Sequence, residues 1–263
     1  MKTTKEIAIS LFGDSYKTCK CGGSHEVCLN CVKCRAELPD STCNDVNALP
    51  TIIDATLLRA NALNDEVLDL ISTADKYNCA SVCLNSDFIH FAKTHISNSL
   101  KTCSVVNFPL GASNSKALLG EVEGVLLTGI DELDMVQDIR EILNDEFDNA
   151  LKTIKDVYML CNGKKVLLKV ILETCYLTPE QIIISCLIAK KGGADFVKTS
   201  TGFGPSGATV ENIKLMRETV GSKMGVKASG GIKTHDQAVM LIMSGANRIG
   251  ASNVESIVQT NDF

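Results

Sequence analysis

Two lysines lie late in apolar, strand-like segments, where a basic side chain is unusual. Lys198 stands in DFVKTSTGFG, directly before a Thr-Ser-Thr-Gly turn, and Lys227 stands in GVKASGGIKT. Burial disfavours the charged ammonium form, and a second cation nearby disfavours it further. An amine that loses its proton near neutral pH can add to a carbonyl carbon and form an imine. The pair therefore predicts nucleophilic amine chemistry, while a lysine ion-paired to a carboxylate is the structural alternative for Lys198 alone.

A carboxylate is available to move the protons that such an addition requires. Asp134 stands in DELDMV, on the predicted fourth strand and across the fold from the two lysines. Taken alone, it is an ordinary acid at the end of a strand. With Lys198 as the nucleophile and Lys227 as the neighbouring cation, it completes the set of groups that carbonyl chemistry through an imine requires.

The elements that must position these residues alternate in type along the chain. From residue 51 onward, short β-branched runs alternate with longer helical patterns, which is typical of parallel strands joined by helical crossovers. Strands are predicted at 51–57, 81–85, 102–108, 130–136, 166–173, 194–200, 225–230 and 247–251. Helices are predicted at 64–77, 115–127, 138–160, 178–191, 209–221 and 234–244. Eight strands favour a (β/α)8 TIM barrel, whose chemistry sits where the strands end, over an open doubly wound sheet.

These segments resemble the deoxyribose-phosphate aldolases, class I lyases that join acetaldehyde to glyceraldehyde 3-phosphate. The resemblance covers about residues 50–258, and KTSTGFG followed by KASGGI is its most specific part. The other matching segments are IDATLL, ASVCLN, NFPLGA, DELDMV, LKVILET and RIGAS. The resemblance implies reversible cleavage of 2-deoxy-D-ribose 5-phosphate in deoxyribonucleotide catabolism, with no cofactor and no catalytic metal.

The resemblance also implies a role for each matching residue. Lys198 forms the Schiff base, Lys227 makes its amine easier to deprotonate, and Asp134 relays protons with Lys227 and water. Three further matches, which are substrate-binding candidates, are Asp54, Thr56 and Lys169. An ion-pair network that lines the barrel mouth is the alternative for these last three.

Small residues in the last loops predict a site for the phosphate of the substrate. Backbone N–H groups in glycine turns and at helix N-termini favour anions, although glycine turns also occur simply to reverse the chain. The residues predicted to bind phosphate are Gly202, Gly230, Gly231 and Ser252, with Gly204 and Asn253 in the same loops.

The chain departs from the family pattern in the first motif and in the loop after KTSTG. Ala55 stands where the family usually has His, and Arg59 stands where Lys is common. After KTSTG, Phe203 and Ser206 fill a region where some members carry a basic residue. Phosphate neutralisation is therefore expected to depend on backbone dipoles and on Lys233.

The first 48 residues are predicted to form a cysteine-rich extension, separate from the barrel at 49–263. Clusters of this density usually bind a metal or a metal cluster. The cysteines are Cys19, Cys21, Cys28, Cys31, Cys34 and Cys43, with His25 among them. Structural zinc, an iron–sulfur cluster and a loosely ordered thiol-rich segment remain alternatives, and none is expected to take part in the aldol step.

Composition excludes several classes of function. A net charge of −5 and a pI near 5.4 argue against general nucleic-acid binding. Apolar runs are too short to cross a membrane or to form a signal-peptide core, which predicts a cytoplasmic protein. The expected partner is a phosphorylated sugar, and a homodimer is a candidate assembly. Two other functions remain: a different lysine-dependent barrel aldolase, and a catalytically silent barrel that binds phosphorylated ligands or proteins.

Overall fold

Eight short strands, each buried along most of its length, form the centre of the molecule. The computed structural model describes residues 2–13 and 46–259. All neighbouring strands pair in parallel and the last pairs with the first, so the sheet closes into a barrel. The strands are β1 (Ile53–Leu57), β2 (Ser81–Leu84), β3 (Lys101–Val106), β4 (Glu132–Val136), β5 (Leu167–Ile171), β6 (Phe196–Lys198), β7 (Gly225–Ser229) and β8 (Arg248–Ala251). The predicted (β/α)8 TIM barrel is confirmed.

Helices connect the strands and cover the outside of the barrel. They are α1 (Thr4–Phe12), α2 (Asn64–Lys76), α3 (Asp87–Lys93), α4 (Ser115–Leu127), α5 (Ile139–Leu143), α6 (Phe147–Lys164), α7 (Pro179–Gly192), α8 (Val210–Val220), α9 (His235–Met243) and α10 (Glu255–Val258). Thr178 and Thr234 cap α7 and α9, because each side chain accepts a hydrogen bond from the backbone N–H three residues later. Short 3-10 helices at Val46–Ile52 and Thr174–Tyr176 precede β1 and follow β5.

The main apolar core lies between the strands and the surrounding helices. Successive residues of a strand point to opposite faces, so each strand serves both this core and the barrel interior. On β1, Ala55 belongs to the core, whereas Asp54 is fully buried on the other face. The departure from the family at Ala55 therefore lies in the layer against the helices, away from the barrel mouth.

The strand register sets the depth of the polar side chains inside the barrel. Lys198 on β6 pairs with Lys227 on β7, and Asp134 on β4 pairs with Lys169 on β5. Gly250 on β8 leaves room for this arrangement, because a Cβ atom there would lie 3.0 Å from Cε of Lys227. The two lysines stand at matching depth on neighbouring strands, as the sequence predicts.

Two predicted elements differ from those observed. The helix predicted at 138–160 is broken into α5 and α6, since Asp145 adopts a left-handed φ of 58° between them. The strand predicted at 194–200 extends only over Phe196–Lys198, so Lys198 is its last residue. Helices α1 and α3 were not predicted.

Helix α1 lies against α7 on the outside of the barrel. It buries Ile7 and Ala8, and Lys2 lies 3.7 Å from Glu180. The cysteines predicted to form a metal-binding cluster, Cys19 to Cys43, lie outside the described residues, and the domain boundary at residues 48–49 stays a prediction. Within residues 2–13 and 46–259, every helix is too short or too polar to span a membrane.

Candidate active site

A buried carboxylate oxygen joins the two predicted catalytic lysines. Oδ2 of Asp134 lies 2.8 Å from Nζ of Lys198 and 2.8 Å from Nζ of Lys227. Lys198 is 2% exposed, and the other two residues are fully buried. The structure therefore places Asp134 in direct contact with both lysines, close enough to exchange a proton with either.

The second oxygen of Asp134 is held from the neighbouring strands. Oδ1 accepts a hydrogen bond from Nζ of Lys169 at 2.7 Å and lies 3.3 Å from Sγ of Cys103. Burial alone would raise the pKa of Asp134, but the charges of Lys169 and Lys227, joined by Lys198 whenever its amine is protonated, outweigh it and hold that pKa well below its usual range. Asp134 is therefore a carboxylate at neutral pH.

A wider set of ion pairs extends this cluster across the barrel. Nζ of Lys227 lies 2.5 Å from Oδ2 of Asp54, and Nζ of Lys169 lies 2.6 Å from Oε2 of Glu132. Arg248 bridges the two acids, at 2.6 Å from Asp54 and 3.2 Å from Glu132. The structure thus places Asp54 and Lys169 in an ion-pair network, which is the alternative that the sequence left open for them.

The basic members of this network hold their protons. Burial would lower the pKa of Lys227, but the carboxylates of Asp134 and Asp54 outweigh it and raise that pKa above its ordinary value. Burial likewise would lower the pKa of Lys169, but nearby negative charge outweighs it, and among the carboxylates Asp134 contributes most. The pKa of Lys169 is therefore raised well above its usual range. Arg248 has a raised pKa for the same reason, through Asp54 and Glu132. These three side chains are permanent cations at neutral pH.

Counting charges in the network singles out Lys198. Among the described residues that form it, three carboxylates face three permanent cations. An unbalanced charge in a buried site is costly, because its hydration is lost without full compensation. The cluster is neutral when the amine of Lys198 is uncharged and carries one excess positive charge when that amine is protonated.

A cavity of about 400 Å³ opens above Lys198 at the carboxyl ends of the strands. Five predicted substrate-binding residues line it, namely Thr56, Gly202, Gly230, Gly231 and Ser252. Apolar side chains, including Leu58, Phe203 and Ile232, form another part of its wall. Gly204 instead packs against Cys175 and Glu173. The side chain of Asn253 accepts a hydrogen bond from the backbone of Ser256, near the start of α10.

The loop after β6 is fixed by a buried acid. Glu173 adopts a left-handed φ of 53° and is 2% exposed. Its carboxylate accepts hydrogen bonds from the backbone N–H of Thr201, at 3.2 Å to Oε2, and from the Thr201 hydroxyl. The same hydroxyl oxygen accepts a hydrogen bond from the N–H of Phe203 at 3.0 Å. These contacts hold the turn that carries Gly202 at the edge of the cavity.

The loops after β6 and β7 touch through their backbones. A Cβ atom on Gly207 would lie 2.0 Å from the carbonyl oxygen of Gly230. The N–H of Ala208 donates hydrogen bonds to the carbonyl oxygens of Ser229 and Gly230, each at 3.1 Å. Only glycine permits this approach, which brings Gly202 and Gly230 to the same cavity.

Comparison with known proteins assigns this chain to a family. Residues 42–256 match the DeoC/LacD family of aldolases. The chain belongs to this family. It is 48% identical over 207 residues to deoxyribose-phosphate aldolase 1 of Vibrio vulnificus, covering 78% of this chain and 94% of that protein.

Two further relatives support membership of the DeoC/LacD family. The deoxyribose-phosphate aldolase of a Thermoanaerobacter species is 45% identical over 210 residues, covering 79% of this chain and 94% of that protein. The solved structure of the tetrameric deoxyribose-phosphate aldolase of Aeropyrum pernix is 28% identical, with a TM-score of 0.74. That alignment covers 83% of this chain and 95% of the other.

Several residues of the ion-pair network and of the loops around the cavity were missed by the sequence predictions. Glu132 could have been found, because it lies two residues before Asp134 in a strand and so shares its face. Arg248 could have been found in the same way, because it lies two residues before Gly250 on β8 and so shares the face that points toward Lys227. No periodic pattern marks Glu173 or Gly207, whose roles depend on contacts between loops.

Two thiols and a carboxylate in the barrel are spaced closely enough to share a metal ion. Potential ligand atoms of Cys83, Cys103 and Asp134 lie within 4.8 Å of one another. Both oxygens of Asp134 already contact lysine ammonium or amine nitrogens. Since an added cation would compete with these groups and be repelled by them, the arrangement suits the ion-pair network better than a metal.

Proposed function

We propose that this chain is a deoxyribose-phosphate aldolase. It reversibly cleaves 2-deoxy-D-ribose 5-phosphate to D-glyceraldehyde 3-phosphate and acetaldehyde through a Schiff base on Lys198. The observation that carries this proposal is the charge balance of the buried network, which is neutral when the Lys198 amine is free to act as a nucleophile. That amine faces a cavity large enough for a small sugar phosphate.

The first half of the reaction forms the imine. The lone pair of Nζ of Lys198 adds to the aldehyde carbon of the open-chain sugar, and the oxygen leaves as water after two proton transfers. The product is a protonated imine with a positive charge at the former amine nitrogen. Oδ2 of Asp134, 2.8 Å from that nitrogen, stabilises the new charge without needing to move.

The second half breaks the carbon–carbon bond. Removal of the proton from the C3 hydroxyl lets the C2–C3 bonding electrons flow into the protonated imine. Glyceraldehyde 3-phosphate leaves, and an enamine remains on Lys198. Protonation of C2 and hydrolysis then release acetaldehyde and the free amine. Asp134 and Lys227 are the adjacent groups able to hold or pass these protons, with water as the carrier to the substrate.

The loops around the cavity are suited to the phosphate end of the substrate. Glycine turns expose backbone N–H groups, and such groups bind anions. Gly202, Gly230, Gly231 and Ser252 supply this part of the proposed site, and Thr56 lines its sugar end. Asp54 and Lys169 are fully buried in the ion-pair network and act on the sugar end only through the residues that line the cavity.

Several further properties of this protein stay predictions. They are the absence of a cofactor and of a catalytic metal, the role in deoxyribonucleotide catabolism, the cytoplasmic location and the homodimer. The relative from Aeropyrum pernix is a tetramer, so a higher assembly is a second candidate. The catalytically silent barrel is the functional alternative.

Cleavage of 2-deoxyribose 5-phosphate, followed by coupled detection of glyceraldehyde 3-phosphate, tests the proposal. We expect turnover by the full chain, loss of turnover in Lys198→Met, and no effect of a chelator. Lys191→Met is the matched control, because Lys191 is a buried lysine on α7, outside the barrel interior. Absence of cleavage by the unmodified protein would leave the silent barrel as the better account.

A further inference from the structure

The phosphate of the proposed substrate needs a cation that the catalytic network cannot supply. Among the described residues that line the cavity, the basic side chains are Lys198 and Arg59. Lys198 is the proposed nucleophile and acts as an uncharged amine. The loop after β6 contributes Phe203, and Lys233, which the sequence favoured as a counter-charge, does not line the cavity. Arg59 is therefore the cation in position to meet a bound anion.

Neighbouring groups hold the guanidinium of Arg59 at the rim of the cavity. Nη1 donates hydrogen bonds to the carbonyl oxygen of Asn61 at 2.9 Å and to its Oδ1 at 3.2 Å, and Nη2 donates to Glu66. Glu66 is itself fixed, since its other oxygen accepts a hydrogen bond from the N–H of Leu63 at 2.8 Å. A guanidinium has five N–H donors. These contacts use three of them, which leaves two for a ligand within the described part of the molecule.

The strand order brings Arg59 to the side of the cavity where the anion-binding loops end. β1 pairs with β8, and Ala55 lies opposite Ala251. The chain segments after these two strands, which carry Arg59 and Ser252, therefore leave the barrel side by side. Both residues line the same cavity, together with Gly230 and Gly231 from the loop after β7.

We propose that Arg59 binds the 5-phosphate of the substrate and sets the preference of this enzyme for phosphorylated over unphosphorylated sugars. This inference rests on the proposed function. The guanidinium of Arg59 is the charged donor of this anion site and lies on its β1 side. The other donors are backbone N–H groups and the hydroxyl of Ser252. A hydrogen bond between charged groups is stronger than one between neutral groups, and Arg59 contributes it only when the substrate carries phosphate.

Kinetics with two substrates that differ only in the phosphate test this role. The ratio of kcat/KM for 2-deoxyribose 5-phosphate to kcat/KM for 2-deoxyribose should fall about tenfold in Arg59→Ala, mainly through a higher KM for the phosphorylated sugar. Inhibition by inorganic phosphate should weaken in parallel. Arg59→Lys keeps the charge and loses the planar fork, so it should restore part of the ratio.

Two controls separate this role from a structural one. Arg140→Ala removes another exposed, ion-paired arginine that lies outside this cavity, and it should leave the ratio unchanged. Glu66→Gln removes the charged partner of Arg59 while keeping the guanidinium, so the ratio should be maintained or increased.

An equal loss of the ratio in Glu66→Gln and Arg59→Ala would overturn the proposal, because Arg59 would then act only by stabilising the position of α2. An unchanged ratio in Arg59→Ala would also overturn it and leave the proposed function intact, whereas a wild-type protein inactive on both sugars would count against that function.

Discussion

Replacing Lys227 by methionine should move imine formation to higher pH. The Nζ atoms of Lys198 and Lys227 both lie 2.8 Å from one oxygen of Asp134, so they are less than about 6 Å apart. Two unit charges at that separation repel by about 3 kcal/mol at an effective dielectric constant of about 20. Without this repulsion, the protonated form of Lys198 is more stable relative to its free amine. In addition, the variant network has three carboxylates and only two permanent cations, so the Lys198 ammonium becomes the charge that balances it. The midpoint of the pH dependence should rise by about two pH units.

The assay is trapping of the acetaldehyde imine by borohydride at a series of pH values, with the adduct measured by mass spectrometry. Methionine keeps most of the volume of the lysine stem, so packing against Gly250 is largely retained. Lys191→Met is again the matched control and should give the wild-type midpoint. An unchanged or lower midpoint in Lys227→Met would refute the argument that Lys227 keeps Lys198 uncharged.

Three other changes test the surrounding structure. Arg248→Met leaves the carboxylate of Glu132 with one buried partner fewer and should lower the free energy of unfolding by about 3–5 kcal/mol, measured with urea. A loss below about 1 kcal/mol would contradict this. Gly207→Ala should raise KM for the phosphorylated substrate, because its Cβ would collide with the backbone of the loop after β7; an unchanged KM would show that the contact is dispensable. The pKa of Asp134 is depressed, so its contribution to stability is present above about pH 4 and is lost as the pH falls. The pKa of Lys169 is raised, so its contribution is present below about pH 10.4 and is lost as the pH rises through its folded-state value. The urea midpoint should therefore be level between these limits, and Asp134→Asn should flatten its decline on the acid side.

The barrel could be predicted from the sequence because its signal is local and repeated. Each strand is a short apolar run, and each following helix has apolar residues at three- and four-residue spacing. The break between α5 and α6 was missed, because it depends on the backbone of Asp145 rather than on the apolar pattern. The strand β6 was predicted too long at both ends, because its pairing covers only Phe196–Lys198 and the sequence pattern does not show where pairing stops.

The catalytic candidates could also be predicted, whereas their electrostatic setting could not. Lys198 and Lys227 stand in motifs that fix their strand positions, and strand order then brings them together. The charge balance depends on Glu132 and Arg248, which lie 116 residues apart in the sequence and meet only when the barrel closes. A sequence pattern reports the face of a strand, but it does not report which side chains from distant strands share an oxygen or a proton.

The most direct test of the central claim is to identify the residue that carries the imine. After borohydride reduction in the presence of acetaldehyde, peptide mass spectrometry should find an added ethyl group on Lys198, in the peptide that contains KTSTGFG, and Lys198→Met should show none. A modified residue elsewhere in the barrel, or continued cleavage of 2-deoxyribose 5-phosphate without any trapped adduct, would contradict the account.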